Sequence, residues 1–77
     1  MNKHIGSSFE EEREEVRILN RVLLRATEVF GNPEVAESWM TTPIAALGWK
    51  TPSVALRSLG GEREVRVLLG RLEHGLF

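Results

Sequence analysis

The side chains best suited to chemistry in this sequence lie near its C-terminal end, where Arg71, Glu73 and His74 precede the apolar pair Leu76 and Phe77. A carboxylate beside an imidazole could support acid–base catalysis or metal binding. The chain, however, contains no cysteine and no aspartate, and its other histidine lies near the opposite end. We therefore interpret this segment as a binding surface. We predict that the chain is not an enzyme and uses no cofactor or metal.

The segment from Gly70 to Phe77 has the pattern of an amphipathic helix end, a glycine stop at Gly75 and two apolar residues at the free carboxyl terminus. Apolar residues left uncovered at a free end often contact a partner. From spacing alone, Phe77 could equally fold back and close the domain's own core. Gly70 also has two interpretations, because it could let another backbone approach closely or could end the helix early as a cap.

Length and composition limit the function classes. A chain of 77 residues makes one small domain with a marginal core of its own, which favours local helical contacts and a partner or oligomer. The absence of cysteine fits a reducing cytoplasm. The sequence contains no apolar run long enough to span a bilayer, so we expect no membrane partner. A net charge of −1 gives no general attraction to nucleic acid.

Helical periodicity and repeated capping signals predict an all-α fold, a compact bundle of about four to five short helices with a longer N-terminal helix. We expect a flexible tail at 1–8 and a single helical domain at 9–77. The long helix should begin at the capping boxes of Ser7 and Ser8 and end at Phe30. Three cap-and-proline pairs should start helices or turns after it: Asn32-Pro33, Thr42-Pro43 and Thr51-Pro52. The last helix should run from Glu62 to about Glu73.

The long helix has an unusually wide apolar arc. Its inward face should consist of Phe9, Val16, Leu19, Leu23, Ala26 and Phe30. Ile18, Val22 and Val29 widen this face to about half the circumference, more than one small core should need. We therefore predict that these three residues form a homodimer or partner face. The arginines on the opposite side alternate with glutamates, which indicates a solvated, self-paired surface.

Trp49 lies in a loop between Gly48 and Lys50. A tryptophan in this position could cover the edge of the core or anchor an interface with another protein.

Several short motifs occur in a distinctive order. They are Glu28-Val29-Phe30-Gly31-Asn32, Ala36-Glu37-Ser38-Trp39-Met40, Thr42-Pro43, Ala46-Leu47-Gly48, Thr51-Pro52 and Leu68-Leu69-Gly70-Arg71. In this order and at these spacings the chain resembles the toxin-binding domain of the Xre/MbcA/ParS antitoxins. The resemblance covers about Val22 to Phe77.

This resemblance implies a cytoplasmic bacterial antitoxin, or an immunity protein of the same design. Its partner would be a RES-domain toxin, an enzyme related to ADP-ribosyltransferases that degrades or uses NAD. Antitoxins of this family present their C-terminal end to the active-site cleft of the toxin. The expected partner-binding residues are Gly70, Arg71, Glu73, His74, Gly75, Leu76, Phe77 and Trp49.

Full-length members of the family usually carry an N-terminal helix-turn-helix domain, whereas a single predicted helix precedes Gly31 here. We therefore predict no sequence-specific DNA binding by this chain alone, and a homodimer or a higher complex with the toxin. Two alternatives remain. Residues 52–73 could form a helix-turn-helix of a transcriptional regulator, although acids at the start of the second helix would oppose phosphate. The chain could also be a helical homo-oligomer.

Overall fold

A computed structural model describes the backbone of residues 2–75 and the side chains of residues 9–75. This part of the chain forms α1 (Asn2–Phe30), α2 (Pro33–Met40), a short 3-10 helix (Ala45–Leu47), α3 (Pro52–Ala55) and α4 (Gly61–Glu73). An isolated antiparallel bridge joins Ile44 to Lys50, and no strand is present among the described residues. The predicted all-α bundle with a longer N-terminal helix is confirmed.

Two of the three cap-and-proline predictions are confirmed. The side chain of Asn32 accepts hydrogen bonds from the first backbone N–H groups of α2, and the hydroxyl of Thr51 accepts one from the N–H of Val54 at 3.1 Å. The prediction for Thr42-Pro43 is wrong. The hydroxyl of Thr42 donates to the carbonyl of Ser38 at 2.7 Å and so caps the end of α2. This geometry leaves the following 3-10 helix without a side-chain cap.

The start of α1 differs from the prediction. The helix begins at Asn2, so Ser7 and Ser8 lie inside it and do not cap its first turn. No proline interrupts this stretch, and the single Gly6 costs a helix only about 1 kcal/mol, so no residue here forces the helix to stop. The division into a tail at 1–8 and a domain at 9–77 stays a prediction.

The core lies where α1 packs against α2 on one side and α4 on the other. Its buried residues are Val22, Ala26, Ala36, Met40, Leu47, Ala55, Leu56, Val65 and Leu69. The prediction that Val22 lies on an outer partner face is therefore wrong, because its side chain has no exposed surface. Ile18 and Val29 are partly buried against the same core. Two neighbouring helices within one domain account for the wide apolar arc of α1.

The N-terminal half of α1 extends past this core. Phe9, Val16 and Leu19 were predicted to face inward, but all three are exposed. The reason is length, since α1 has 29 residues and spans about 43 Å, whereas α4 has 13 and spans about 20 Å. The shorter helices cover only the C-terminal half of α1.

The junction between α3 and α4 requires a glycine. Gly61 is buried, and a Cβ atom added there would lie 1.7 Å from the backbone carbonyl oxygen of Ala55. The start of α4 is thereby pressed directly against the backbone of α3. This contact fixes the direction in which α4 leaves the turn.

Candidate functional site

The two faces of α4 differ sharply in what they contact. Val65 and Leu69 are buried on the inward face, with Leu68 and Leu72 packed partly against the same core. Arg63, Val67, Gly70, Arg71 and His74 follow helical spacing on the other side, where none of them is buried. This second set of five residues, called the outward face below, is the candidate functional site.

Ion pairs hold the first turn of α4 to α1. One carboxylate oxygen of Glu62 lies 3.5 Å from Arg21 on α1, and the other accepts a hydrogen bond from Arg66 at 3.1 Å. The hydrogen bond from Arg66, together with the nearby charge of Arg21, holds the pKa of Glu62 below its ordinary value. Both contacts involve the carboxylate of Glu62 on the flank of α4, so they leave the outward face free for other contacts.

A second ion pair with α1 holds the last turn of α4. Glu73 accepts a hydrogen bond from Arg25 on α1, and Arg25 also reaches Glu28 at 3.2 Å. The hydrogen bond to Glu73 raises the pKa of Arg25 above its ordinary value. Glu73 was predicted to contact a partner, but its helical position turns it toward α1, where it has a partner within the chain. Within the described chain Glu73 anchors the end of α4, and its contact with a partner stays a prediction.

The outward face carries unpaired cations. Within residues 9–75, neither Arg63 nor Arg71 forms an ion pair, whereas Arg17, Arg21 and Arg25 on α1 all do. The predicted self-pairing of the α1 face is thus confirmed for Arg17 with Glu14 and Arg25 with Glu28, whereas Arg21 pairs with Glu62 on α4. Arg63 and Arg71 therefore place two such cations on the outward face of α4.

A shallow groove runs along the edge of the outward face. Its volume is about 270 Å³, and it lies between the 3-10 helix and α4. The lining residues are Ala46, Leu47, Arg63, Glu64, Val67, Leu68 and Arg71. Sequence reasoning identified Arg71 but missed Arg63 and Val67. Their spacing in the sequence could have identified them. Intervals of three or four residues place four positions on one face of the helix, and none of them is acidic: Arg63, Val67, Gly70 and His74.

Gly70 lies inside α4, so the interpretation that it ends the helix early is wrong. The helix ends at Glu73 with His74 as its C-cap, and Gly75 follows with a φ of +72°. The predicted glycine stop at Gly75 is confirmed. A Cβ atom added at Gly70 would meet nothing within 4 Å. No packing among the described residues therefore explains why this position is a glycine.

The side chain of Trp49 is 71% exposed, so it does not cover the core. Its backbone has a φ of +64°, a left-handed conformation that is unfavourable for a bulky residue. The Ile44–Lys50 bridge closes the loop, and the N–H of Trp49 donates to the carbonyl of Ile44 at 2.9 Å. The loop thus holds a large apolar side chain in water directly after the 3-10 helix that borders the groove.

The structure brings Gly70, Arg71, His74 and Gly75 together at one end of the outward face. Leu76 and Phe77 lie outside the described residues.

Within the described part of the chain, no group of three or more histidine or acidic side chains could hold a metal ion. No described helix is both long and apolar enough to cross a membrane.

Comparison with known proteins identifies the family to which this sequence belongs. The sequence model of the antitoxin Xre/MbcA/ParS C-terminal toxin-binding domain matches residues 25–75. The chain belongs to this family. The matched region of this toxin-binding domain begins at Arg25, which holds Glu73, and ends at Gly75, which follows α4. It therefore contains the outward face, the groove and Trp49, and it excludes the exposed half of α1.

Two curated relatives are similar over almost the whole chain. An "Antitoxin Xre" of Yersinia enterocolitica is 41% identical over 75 residues, which is 96% of this chain and 51% of the relative. An "Antitoxin Xre" of Photorhabdus laumondii is 35% identical over 72 residues, which is 92% of this chain and 49% of the relative. The chain thus spans about half the length of the curated relatives it matches.

Proposed function

We propose that this chain is an antitoxin, or an immunity-type protein, that binds a RES-domain toxin and sterically blocks its NAD-binding active site. Membership of the toxin-binding family supports a protein partner. The observation that carries the proposal is the outward face of α4. It is solvent-exposed, it has two cations without ion pairs in residues 9–75, and it leads directly into the C-terminal segment.

The proposed inhibition needs a rigid support, which is α4, and a tip that reaches the toxin, which consists of residues 74–77. The ties from Arg21 to Glu62 and from Arg25 to Glu73 fix α4 at both ends against α1. The helix ends with His74 as its C-cap, and Gly75 follows with a φ of +72°. In the proposed complex, Leu76 and Phe77 enter the toxin's cleft, while Arg71 and Trp49 contact its surroundings. An exposed tryptophan and arginine are residue types that often dominate binding energy.

The remaining parts of the proposal concern assembly and location. We propose a cytoplasmic complex that contains a homodimer of this chain or a higher assembly with the toxin. We propose no sequence-specific DNA binding by this chain alone. α3 has only four residues, which is short for the first helix of a helix-turn-helix, and α4 begins with Glu62 and Glu64 near any phosphate.

The test removes the proposed tip and leaves the support. A chain that lacks residues 74–77 should keep its core, because every residue that is buried within the described range 9–75 precedes His74. It should bind the proposed RES-domain toxin at least about 30-fold more weakly, as expected for loss of contacts at the centre of an interface. Circular dichroism melting checks the fold, and an NAD-consumption assay of the toxin measures the inhibition.

Matched single variants refine the test. Arg71→Ala should weaken the inhibition, whereas Arg57→Ala should not, because Arg57 is also an exposed arginine outside the recorded ion pairs but lines a different groove. If the truncated chain remains folded and inhibits as well as the full chain, the proposed blocking by the C-terminal segment is wrong. Full inhibition by Arg71→Ala would remove that residue from the site.

A further inference from the structure

We infer that the groove between the 3-10 helix and α4 binds an acidic segment of the toxin, with Arg63 and Arg71 as the two residues that recognise its carboxylates. This inference rests on the proposed function, because the partner is the same toxin. It adds that the toxin surface bound outside the active-site cleft is acidic. It also adds Arg63 to the interface.

The geometry of the groove suits an extended acidic segment. Arg63 and Arg71 lie eight positions apart, which separates their Cα atoms by about 12 Å along the helix axis. Val67 lies between them and is 47% exposed, and the side chains of Leu47 and Leu68 provide further apolar lining. A segment with two carboxylates that flank an apolar side chain would match this arrangement.

The charge of the groove favours an anionic partner. Its lining contains two guanidinium groups and a single carboxylate, that of Glu64. Neither arginine has an ion-pair partner within residues 9–75, so neither must break an ion pair with a residue of that range before it binds. Arg66, the third arginine of this helix stretch, is already held by Glu62. A guanidinium group offers several donors in a fixed plane that fits a carboxylate.

The acidic segment should border the NAD-binding cleft and lie outside it. A cleft that accepts an anionic dinucleotide is unsuited to an excess of carboxylates, since like charges repel there. The groove lies beside α4, whereas the proposed tip follows α4. The two contacts can therefore form together on neighbouring parts of one toxin surface.

Charge reversal tests the inference. Arg63→Glu and Arg71→Glu should each weaken binding of the RES-domain toxin at least about tenfold, because a like charge at a rim contact is costly. Arg57→Glu, the matched control, should change the affinity less than about twofold. Arg63 lies in the first turn of α4, where a negative charge is favourable to the helix, so unfolding should not account for its loss of binding. Melting curves check this point.

The salt dependence of the affinity gives an independent measurement. Raising the salt from 0.05 M to about 0.5 M should weaken the wild-type complex, and the double variant Arg63→Gln with Arg71→Gln should lose most of that dependence. If the wild-type chain binds and inhibits but both charge reversals leave the affinity unchanged, the inference is wrong and the proposed function survives. If the reversed variants bind more tightly, the groove faces a basic surface. If the wild-type chain does not bind the toxin, both fail.

Discussion

The inward and outward faces of α4 differ in their contacts within residues 9–75: the buried side chains lie on the inward face, the ion pairs lie on the flank, and the outward face has neither. Val65 and Leu69 are buried on the inward side, and Glu62 and Glu73 are tied to α1 on the flank. The outward face has exposed cations and an exposed valine. The comparison teaches that contacts within a small domain can fix a helix along one face and one flank while its other face stays exposed.

The two glycines of α4 repeat this contrast. Gly61 is a glycine because the carbonyl oxygen of Ala55 occupies the place of a side chain, whereas Gly70 has open space where its Cβ would be. The first is explained by the fold. The second lowers helix stability without any packing gain among the described residues, and its role in binding a partner stays a prediction.

Leu69→Ala should have the largest effect on folding. The side chain is fully buried at the centre of the inward face, and its loss should reduce the free energy of unfolding by about 2–5 kcal/mol. Val67→Ala, two positions away on the outward face, should change it by less than about 0.5 kcal/mol. Urea denaturation measures both variants. Equal losses for the two variants would contradict the division of α4 into two faces.

Gly61→Ala should be the next most severe change. The new Cβ would lie 1.7 Å from a backbone oxygen, which cannot move aside as a flexible side chain could. We expect the free energy of unfolding to fall by about 1–3 kcal/mol as α3 and α4 separate. Thermal melting followed by circular dichroism measures this loss. A melting temperature equal to that of the wild-type chain would show that the α3–α4 junction is looser than described.

Gly70→Ala should act in the opposite direction on folding. The added methyl group meets nothing within 4 Å, and alanine favours a helix interior, so the free energy of unfolding should rise by about 0.5–1 kcal/mol. Inhibition of the toxin should nevertheless weaken, because the methyl group would obstruct the close approach of another backbone. Melting and the NAD-consumption assay are measured on the same preparation. A stabilised variant that inhibits fully would remove Gly70 from the interface.

Glu62→Gln should have a small effect that depends on pH. Because the pKa of Glu62 is lowered in the folded chain, its ion pairs stabilise the fold at neutral pH. That contribution should be about 0.5 kcal/mol for such an exposed pair. It should disappear as the pH falls from about 4.5, the ordinary value, through the lowered value of the folded state. Urea denaturation at pH 7 and pH 3 measures both proteins, and an undiminished difference at pH 3 would be inconsistent with these ion pairs.

The sequence predicted the features that depend on local interactions. The helical class, the caps at Asn32 and Thr51, the end of α4 and the glycine stop at Gly75 all follow from short-range patterns. Each of these features involves residues within a few positions of one another. Local capping and periodicity are therefore enough to define most of the helices.

The features that depend on distant contacts could not be predicted in the same way. Val22 belongs to an apolar arc that could equally face a partner, and only the positions of α2 and α4 show that it is buried. Glu73 finds Arg25 across 48 positions of sequence, so its spacing within α4 gave no indication of that contact. The exposure of Phe9 and Val16 follows from the relative lengths of the helices, which periodicity does not encode.

A pair of cysteine variants tests the central claim most directly, because the chain contains no cysteine of its own. Val67 on the outward face and Val54 on α3 are 47% and 48% exposed, so Val67→Cys and Val54→Cys should react with a maleimide at similar rates in the free chain. An excess of the proposed partner, a RES-domain toxin, should slow the labelling of position 67 at least about tenfold and leave position 54 unchanged. Protection of position 54 with free labelling of position 67 would place the toxin on the opposite side of the domain and contradict the proposed site.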